Sequence, residues 1–268
     1  MATKQYCCFK GRGEISLVEY AKRIARTAGF VPVGNAPVFN LTATETTENV
    51  KDYTNPAGGT ACTIREIDTV EIDLTLRCHS PRNWALATSG SGDDEEIASL
   101  AIVDEPHVLW PGTVEPLDNL IDESVAVIVT SADEDAKKYV AGTDYEITPA
   151  GSIRALAGGS IPAPTVTLGV GQPNIHVSYT RKSQQLIQLY STPVPDMSLH
   201  FDGYNVAEKP VIPVHFDLFR VVFGPAATVS IIGDNLSQLE LKGTVERDPT
   251  RSTGTLDNPF SQFGTLKI

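Results

Sequence analysis

The chain has 268 residues, 41% of them hydrophobic, with 33 acidic against 21 basic side chains and a formal net charge of −12. That length is enough for one large β domain or two small ones, and the hydrophobic share is ordinary for a soluble globular protein. The charge excludes a grip on phosphate backbones, which needs clustered Lys and Arg to displace counterions, although an acidic protein can sit close to DNA without sticking to it.

The opening "MATKQYCCFKGRG" lacks an apolar h-region, so no secretory signal is expected. The longest apolar run, near Val125–Val129, is far too short to span a bilayer. Cys7, Cys8, Cys62 and Cys78 form no CxxC pair and no disulfide framework, which reads as reduced thiols in a protein made in the cytosol. Glu19–Gly29 is the one segment of helical composition. Its apolar positions, Tyr20, Ile24 and Ala28, make only a thin stripe, so helix and ragged hairpin both stay open.

Strand signals follow. Phe39, Leu41 and Ala43 alternate with Asn40, Thr42 and Thr44, and Val70, Ile72, Leu74, Leu76 and Cys78 alternate with Glu71, Asp73, Thr75 and Arg77. Period two with one apolar and one polar face marks half-buried antiparallel strands. The Asn-Pro and Gly-Gly breakers between them predict a long hairpin with an extended tip. In "CHSPRNWALATSG", Ser80 is the expected N-cap, Pro81 the first helical position, Asn83–Thr88 a short helix and Gly90 its stop. Cys78 and His79, adjacent at a strand end, would point to opposite faces, a poor arrangement for a nucleophile and its base.

Ser91–Pro106 reads as an acidic connection, and Val108–Thr180 as a small β unit of about four strands. Longer strands return in "MSLHFDGYNV", "PVIPVHFDLFRVVF", "TVSIIGD" and "SQLELKGTVERD". In the last of these Leu239, Leu241 and Val245 face one way, and Glu240, Lys242, Thr244 and Glu246 the other. The polar, turn-rich tail "PTRSTGTLDNPFSQFGTLKI" reads as an arm that orders only against a neighbour. The expected fold is mainly β: an antiparallel β-sandwich or partial barrel with a long hairpin, a short flanking helix and an inserted β unit. Residues 1–104 and 184–268 would form the sandwich, and 105–183 the insertion.

Motifs for catalysis, nucleotides or metals are missing: no Gly-x-Ser-x-Gly, HExxH, Walker A or GxGxxG occurs, and no cofactor is expected. His200 and His215 each precede an aspartate by two residues, Asp202 and Asp217, and so share a strand face with it. The polar strand faces say more. Asn40, Thr42, Thr44, Thr46 and Glu48 line one, and Thr69, Glu71, Asp73, Thr75 and Arg77 its partner. They read either as a solvated sheet face or as the wall of an aqueous channel that repels phosphate and lets DNA slide.

"GFVPVGNAPVFNLTATETTE" followed by "IDTVEIDLTLRCHSPRNWALATSG" resembles the tail tube (major tail) proteins of long-tailed, siphovirus-like bacteriophages. Leu199–Asp248 resembles the closing half of that family, and Tyr145–Gly159 the extra β segment of its longer members. The resemblance implies a non-enzymatic virion protein, made in the host cytoplasm, whose subunits form rings, commonly six-fold. The rings stack into the tube that carries DNA during ejection. It also implies tape-measure, tail-tip and tail-terminator partners, and an insertion on the tube exterior. The polar faces would then line the lumen. Lys51, Asp52, Tyr53, Asn55, Pro56, Gly58 and Gly59 at the hairpin tip, with the N-terminal segment and the tail, would make ring-to-ring contacts. Two alternatives are another self-assembling tube or β-sandwich binding module, and a hydrolase built around His200 or His215.

Overall fold

The computed structural model describes residues 8–54, 56–92, 95–133, 137–255 and 260–268. The chain divides into two units, Met1–Asp93 with Ile187–Ile268, and Asp94–Leu186. The first unit opens with β1 (Gly11–Glu19), α1 (Tyr20–Ala25), β2 (Val31–Pro32), β3 (Val38–Lys51), β4 (Thr60–Leu76) and α2 (Pro81–Thr88). The second carries β5 (Glu96–Ile97), β6 (Leu100–His107), β7 (Val114–Glu115), β8 (Ile128–Ser131), β9 (Tyr145–Ile147), β10 (Ile153–Ala155), β11 (Val166–Thr167), β12 (Val170–Gly171), β13 (Ile175–Arg181) and β14 (Gln184–Gln185). The chain then returns to the first unit with β15 (Met197–Asn205), β16 (Ile212–Phe223), β17 (Leu239–Glu246) and β18 (Gly264–Lys267). The fold is mainly β, and the ladders between these strands are antiparallel. No helix among the described residues is long and apolar enough to cross a membrane.

In the first unit one sheet runs β2-β1-β15-β16-β17-β4-β3, with β18 added to β16. Its ends share a core: Ile15 and Leu17 of β1 belong to the same buried cluster as Ile72, Leu74 and Leu76 of β4 and Leu239 and Leu241 of β17. Burying each such side chain is worth about 1.5–3 kcal/mol, so this cluster holds the sheet in its curl. Gly243 permits a close approach of β17 to β16, since a Cβ there would stand 2.6 Å from the Val222 carbonyl and 3.0 Å from the Phe223 ring.

Three expectations change here. The N-terminal segment is not a free arm from Gly11 onward, because β1 pairs with β15 along its whole length and buries Ile15, Leu17 and Val18. The open choice at residues 19–29 resolves as the short helix α1, which ends at Arg26 in the left-handed conformation (φ 57°) and buries no side chain. The tail folds back on its own chain: β18 pairs with β16, and Phe263 packs against the core. Asp248, 2% exposed, anchors its start. It accepts hydrogen bonds from Tyr20 Oη (2.8 Å) and Thr250 Oγ1 (2.6 Å) and pairs with Arg251 (3.2 Å). Burial disfavours its charge, but the bonds from Thr250 and Tyr20 prevail and hold the carboxyl below its usual range.

Helix α2 follows the expected local chemistry. Ser80 Oγ accepts from the Asn83 N–H (3.3 Å), with Pro81 in the first turn. The left-handed residue at its end is Ser89 (φ 48°), not Gly90. Gly90 is needed for space instead, since a Cβ there would lie 2.9 Å from the Gln188 carbonyl. Asn83, buried, donates to the carbonyls of Val33 (2.9 Å) and Cys78 (2.8 Å), and Arg82 donates to that of Leu17 (3.0 Å). The helix is thereby tied to the "VPVGN" turn and to β1.

The second unit begins near residue 94 rather than 105 and ends at Leu186 rather than residue 183. The supposed acidic connection contains β6, which pairs along β13. Asp104, with φ 53°, and Pro106 break its alternation, and the ladder shifts register between Val177 and Tyr179. Proline is tolerated because β6 is an edge in the order β6-β13-β8. A separate core forms around Leu109, Val129, Ile153, Ile175 and Val177. Beside it Glu105 joins His107 (2.6 Å) and accepts from Tyr179 Oη (2.8 Å). Burial, with that carboxylate, pushes the Tyr179 phenol up to about 12.

Candidate assembly surface

Strands β3 and β4 form the expected long hairpin, with 14 and 17 residues. Only the base of β4 has a second neighbour: β17 pairs with Glu71–Leu76. From Thr60 to Val70, β3 is the only strand beside β4 among the described residues. Val70 at the base of this ribbon still packs against the core, but farther out the ribbon is open, with Ile64 45% and Ile67 59% exposed. A two-stranded ribbon is marginally stable alone in water.

The register places most of the proposed channel residues on one face. Asn40 lies opposite Asp73, Thr42 opposite Glu71, and Thr44 opposite Thr69. Beyond Thr44 the register shifts past Asp68, so that Thr46 faces Glu66 and Glu48 faces Ile64. The same face continues onto β17, where Lys242 lies opposite Asp73 and Thr244 opposite Glu71. The alternation of β17 was readable, but its place beside β4 was not. Two expected members drop out. Thr75 is 9% exposed and does not sit on an open face. Arg77 lies past the end of β4, with its N–H bonded to the Asn35 carbonyl (2.9 Å).

The tip is capped by Lys51 opposite Thr60 and by the Asp52 N–H on the Gly59 carbonyl (2.9 Å). Asp52 Oδ1 accepts from the Thr54 backbone (2.8 Å) and hydroxyl (2.6 Å), and Gly58 and Gly59 take positive φ. Tyr53 is 88% exposed. Pro56 lies in this turn, and Asn55 lies outside the described residues.

The sheet leaves two free edges. Among the described residues β3 pairs only with β4, and the outer side of β1 meets β2 only at Ser16 and Leu17. Both edges line one open groove of about 960 Å³, floored by Phe39, Phe201, Phe216 and Leu266. The rings of Phe39 and Phe216 meet edge to face at 5.6 Å.

The histidines pair differently from the expectation. His200 Nδ1 meets Asp217 (2.7 Å) and His215 Nε2 meets Asp202 (3.2 Å), crosswise between β15 and β16. The cause is register, which sets His200 opposite Asp217 and Asp202 opposite His215. Ser16 stands opposite His200 on β1, but no hydrogen bond joins them among the described residues. Cys78 and His79 are engaged separately. Cys78 Sγ accepts from the Asn35 N–H (3.2 Å) in space left by Gly34 (φ 79°), and the His79 ring lies 5.6 Å from that of Trp84. No cluster of three or more His, Cys, Asp or Glu suited to a metal ion occurs among the described residues.

No curated protein matches the chain. A family model described as "Protein of unknown function UCP028589" matches residues 8–267, a span that takes in both units, the hairpin and the groove, and the chain belongs to that family.

Proposed function

We propose that the chain is a structural virion protein, the tail tube subunit of a long-tailed bacteriophage, whose copies close into rings and stack into a hollow tube for DNA. The observation that carries this reading is the half-covered hairpin with its acidic face. From Val70 to Thr60, strand β4 has β3 as its only strand neighbour among the described residues. A monomer with such free edges is prone to uncontrolled pairing, and closing a ring of copies pairs them. A heterologous contact closes in this way where the rotation permits.

The face formed by Asn40, Thr42, Thr44, Thr69, Glu71 and Asp73 would then look into the bore. Carboxylates there repel phosphate over roughly a Debye length of 8–10 Å, and the threonines offer no fixed charge, so DNA can slide. In this reading the second unit decorates the outside. The chain then meets tape-measure, tail-tip and tail-terminator proteins at the tube ends, and it works by assembly, not catalysis.

The test is negative-stain electron microscopy of the purified, concentrated chain, where hollow rings or tubes of uniform bore are expected. A monomer at every concentration, with Thr60–Val70 already resistant to protease, would overturn the reading. Removing Asp52–Thr60 should leave a folded subunit that no longer polymerises. Tubes from that variant would show that the tip is not the ring-to-ring contact.

A further inference from the structure

Two guanidinium groups of the first unit share one aromatic ring. Arg251, in the tail, lies with its Cζ 3.4 Å from the centre of the Phe219 ring. Arg23, on α1, lies 6.0 Å from that centre and 5.1 Å from the centre of the Phe30 ring. The buried carboxylate of Asp248 fixes both carriers. Its Oδ1 accepts from Tyr20 Oη (2.8 Å), at the start of α1, and its Oδ2 from Arg251 Nε (3.2 Å). Tyr20 and Arg23 stand three residues apart and so lie on one side of the helix. Because α1 buries no side chain, core packing does not account for where Arg23 stands.

The acceptors near this pair are already in use. Asp248 also takes the Thr250 hydroxyl (2.6 Å) and N–H (3.0 Å). Asp217, the other carboxylate acting on Arg23, is held by His200 (2.7 Å) and flanked by Thr265 (3.4 Å) and Lys267 (3.9 Å). Among the described residues the Arg23 guanidinium has no hydrogen bond or ion pair, and the Arg251 guanidinium bonds through Nε alone. Burial, and then the like charge of Arg251, push the Arg23 pKa down, and Asp217 and Asp248 offset this only in part.

An arginine lying over a ring is a common structural device, but the ring meets the face of the guanidinium and leaves the N–H donors at its rim unmet. Nor does that device account for a second arginine at the same ring, in a chain with 33 acidic against 21 basic side chains. The rim donors match the paired oxygens of a phosphate or carboxylate, and an anion there would offset the repulsion between the two cations. We propose that Arg23 and Arg251 together form an oxyanion site, for a phosphate or carboxylate group, over Phe30 and Phe219. The site does not depend on the tube reading. Its occupant has two sources, a free phosphate or a carboxylate side chain of a second copy.

Inorganic phosphate is the probe. Thermal unfolding of the dilute full chain, with millimolar phosphate replacing chloride at constant ionic strength, should move upward as phosphate rises. Arg23→Gln should weaken phosphate binding about tenfold or more, the worth of a charged hydrogen bond. It is the deciding variant, because Arg251→Gln also gives up the ion pair with Asp248. Lys22→Gln removes an equal charge from the next residue, where Lys22 pairs with Glu19 (2.6 Å), and should keep the phosphate response. The general stabilising effect of phosphate is common to all three chains. No response in the wild type, a response that survives Arg23→Gln, or an equal loss in Lys22→Gln would overturn the site.

Sedimentation of the concentrated chain then separates the two sources. Association weakened both by phosphate and by Arg23→Gln would assign the site to a carboxylate of a second copy. Association untouched by either would assign it to a free phosphate. Both results keep the site whether or not rings or tubes form, so its failure and that of the tube reading are told apart.

Discussion

The two halves of β4 are built on one strand yet live in different environments. Glu71–Leu76 lies between β3 and β17, and Ile72, Leu74 and Leu76 are at most 1% exposed. Among the described residues Thr60–Val70 pairs with β3 alone; Val70 still packs against the core, but Ile64 and Ile67 beyond it stand in solvent. Strand character is therefore not what separates scaffold from surface here. The presence of a third strand is, because burial needs neighbours on the face as well as along the edge.

Substitutions can break or sharpen that contrast. Leu74→Ala in the covered half should cost about 2–5 kcal/mol in denaturant unfolding, through lost burial and the cavity left behind. Ile67→Ala in the bare half should stay within about 0.5 kcal/mol. Equal costs would mean that the bare half is covered in the free chain.

A second disruption concerns the buried anchor at the start of the tail, whose last strand, β18, leans on β16. Asp248→Asn should cost about 1–3 kcal/mol, since it replaces a charged acceptor of hydrogen bonds. Its carboxyl lies below its usual range in the folded chain. Its contribution is thus present above the unfolded value of about 3.9 and is lost as the pH falls through the lower folded value. The wild type should lose stability across that acid window, and the variant should lose less. Matching acid profiles would show that Asp248 is not the group responsible.

The smallest effect on folding is expected for Glu71→Lys with Asp73→Lys on the open face. Thermal unfolding should barely move, while, on the proposed tail tube function, DNA release from virions carrying only this chain should fail or slow. Normal infectivity would remove these carboxylates from the bore.

What was legible in the sequence is what neighbours along the chain decide. Ser80 and Pro81 start α2 through bonds within one turn, and the alternation in β3, β4 and β17 shows which side chains share a face. Legibility failed where that local pattern was interrupted. Gly11 and Gly13 precede the short apolar run of β1, and Asp104 and Pro106 divide β6, so neither strand stood out.

Tertiary structure alone decided who pairs with whom. It set β17 against β4, crossed the two His–Asp pairs, buried Thr75, and left β3 and β1 as the free edges of one groove. Those outcomes depend on closing long stretches of chain around a shared core. The free energy of that closure is summed over many distant side chains, and no short window of residues contains it. Period and capping, by contrast, are settled within a few residues, which is why the sequence determined the faces and the tertiary structure determined their partners.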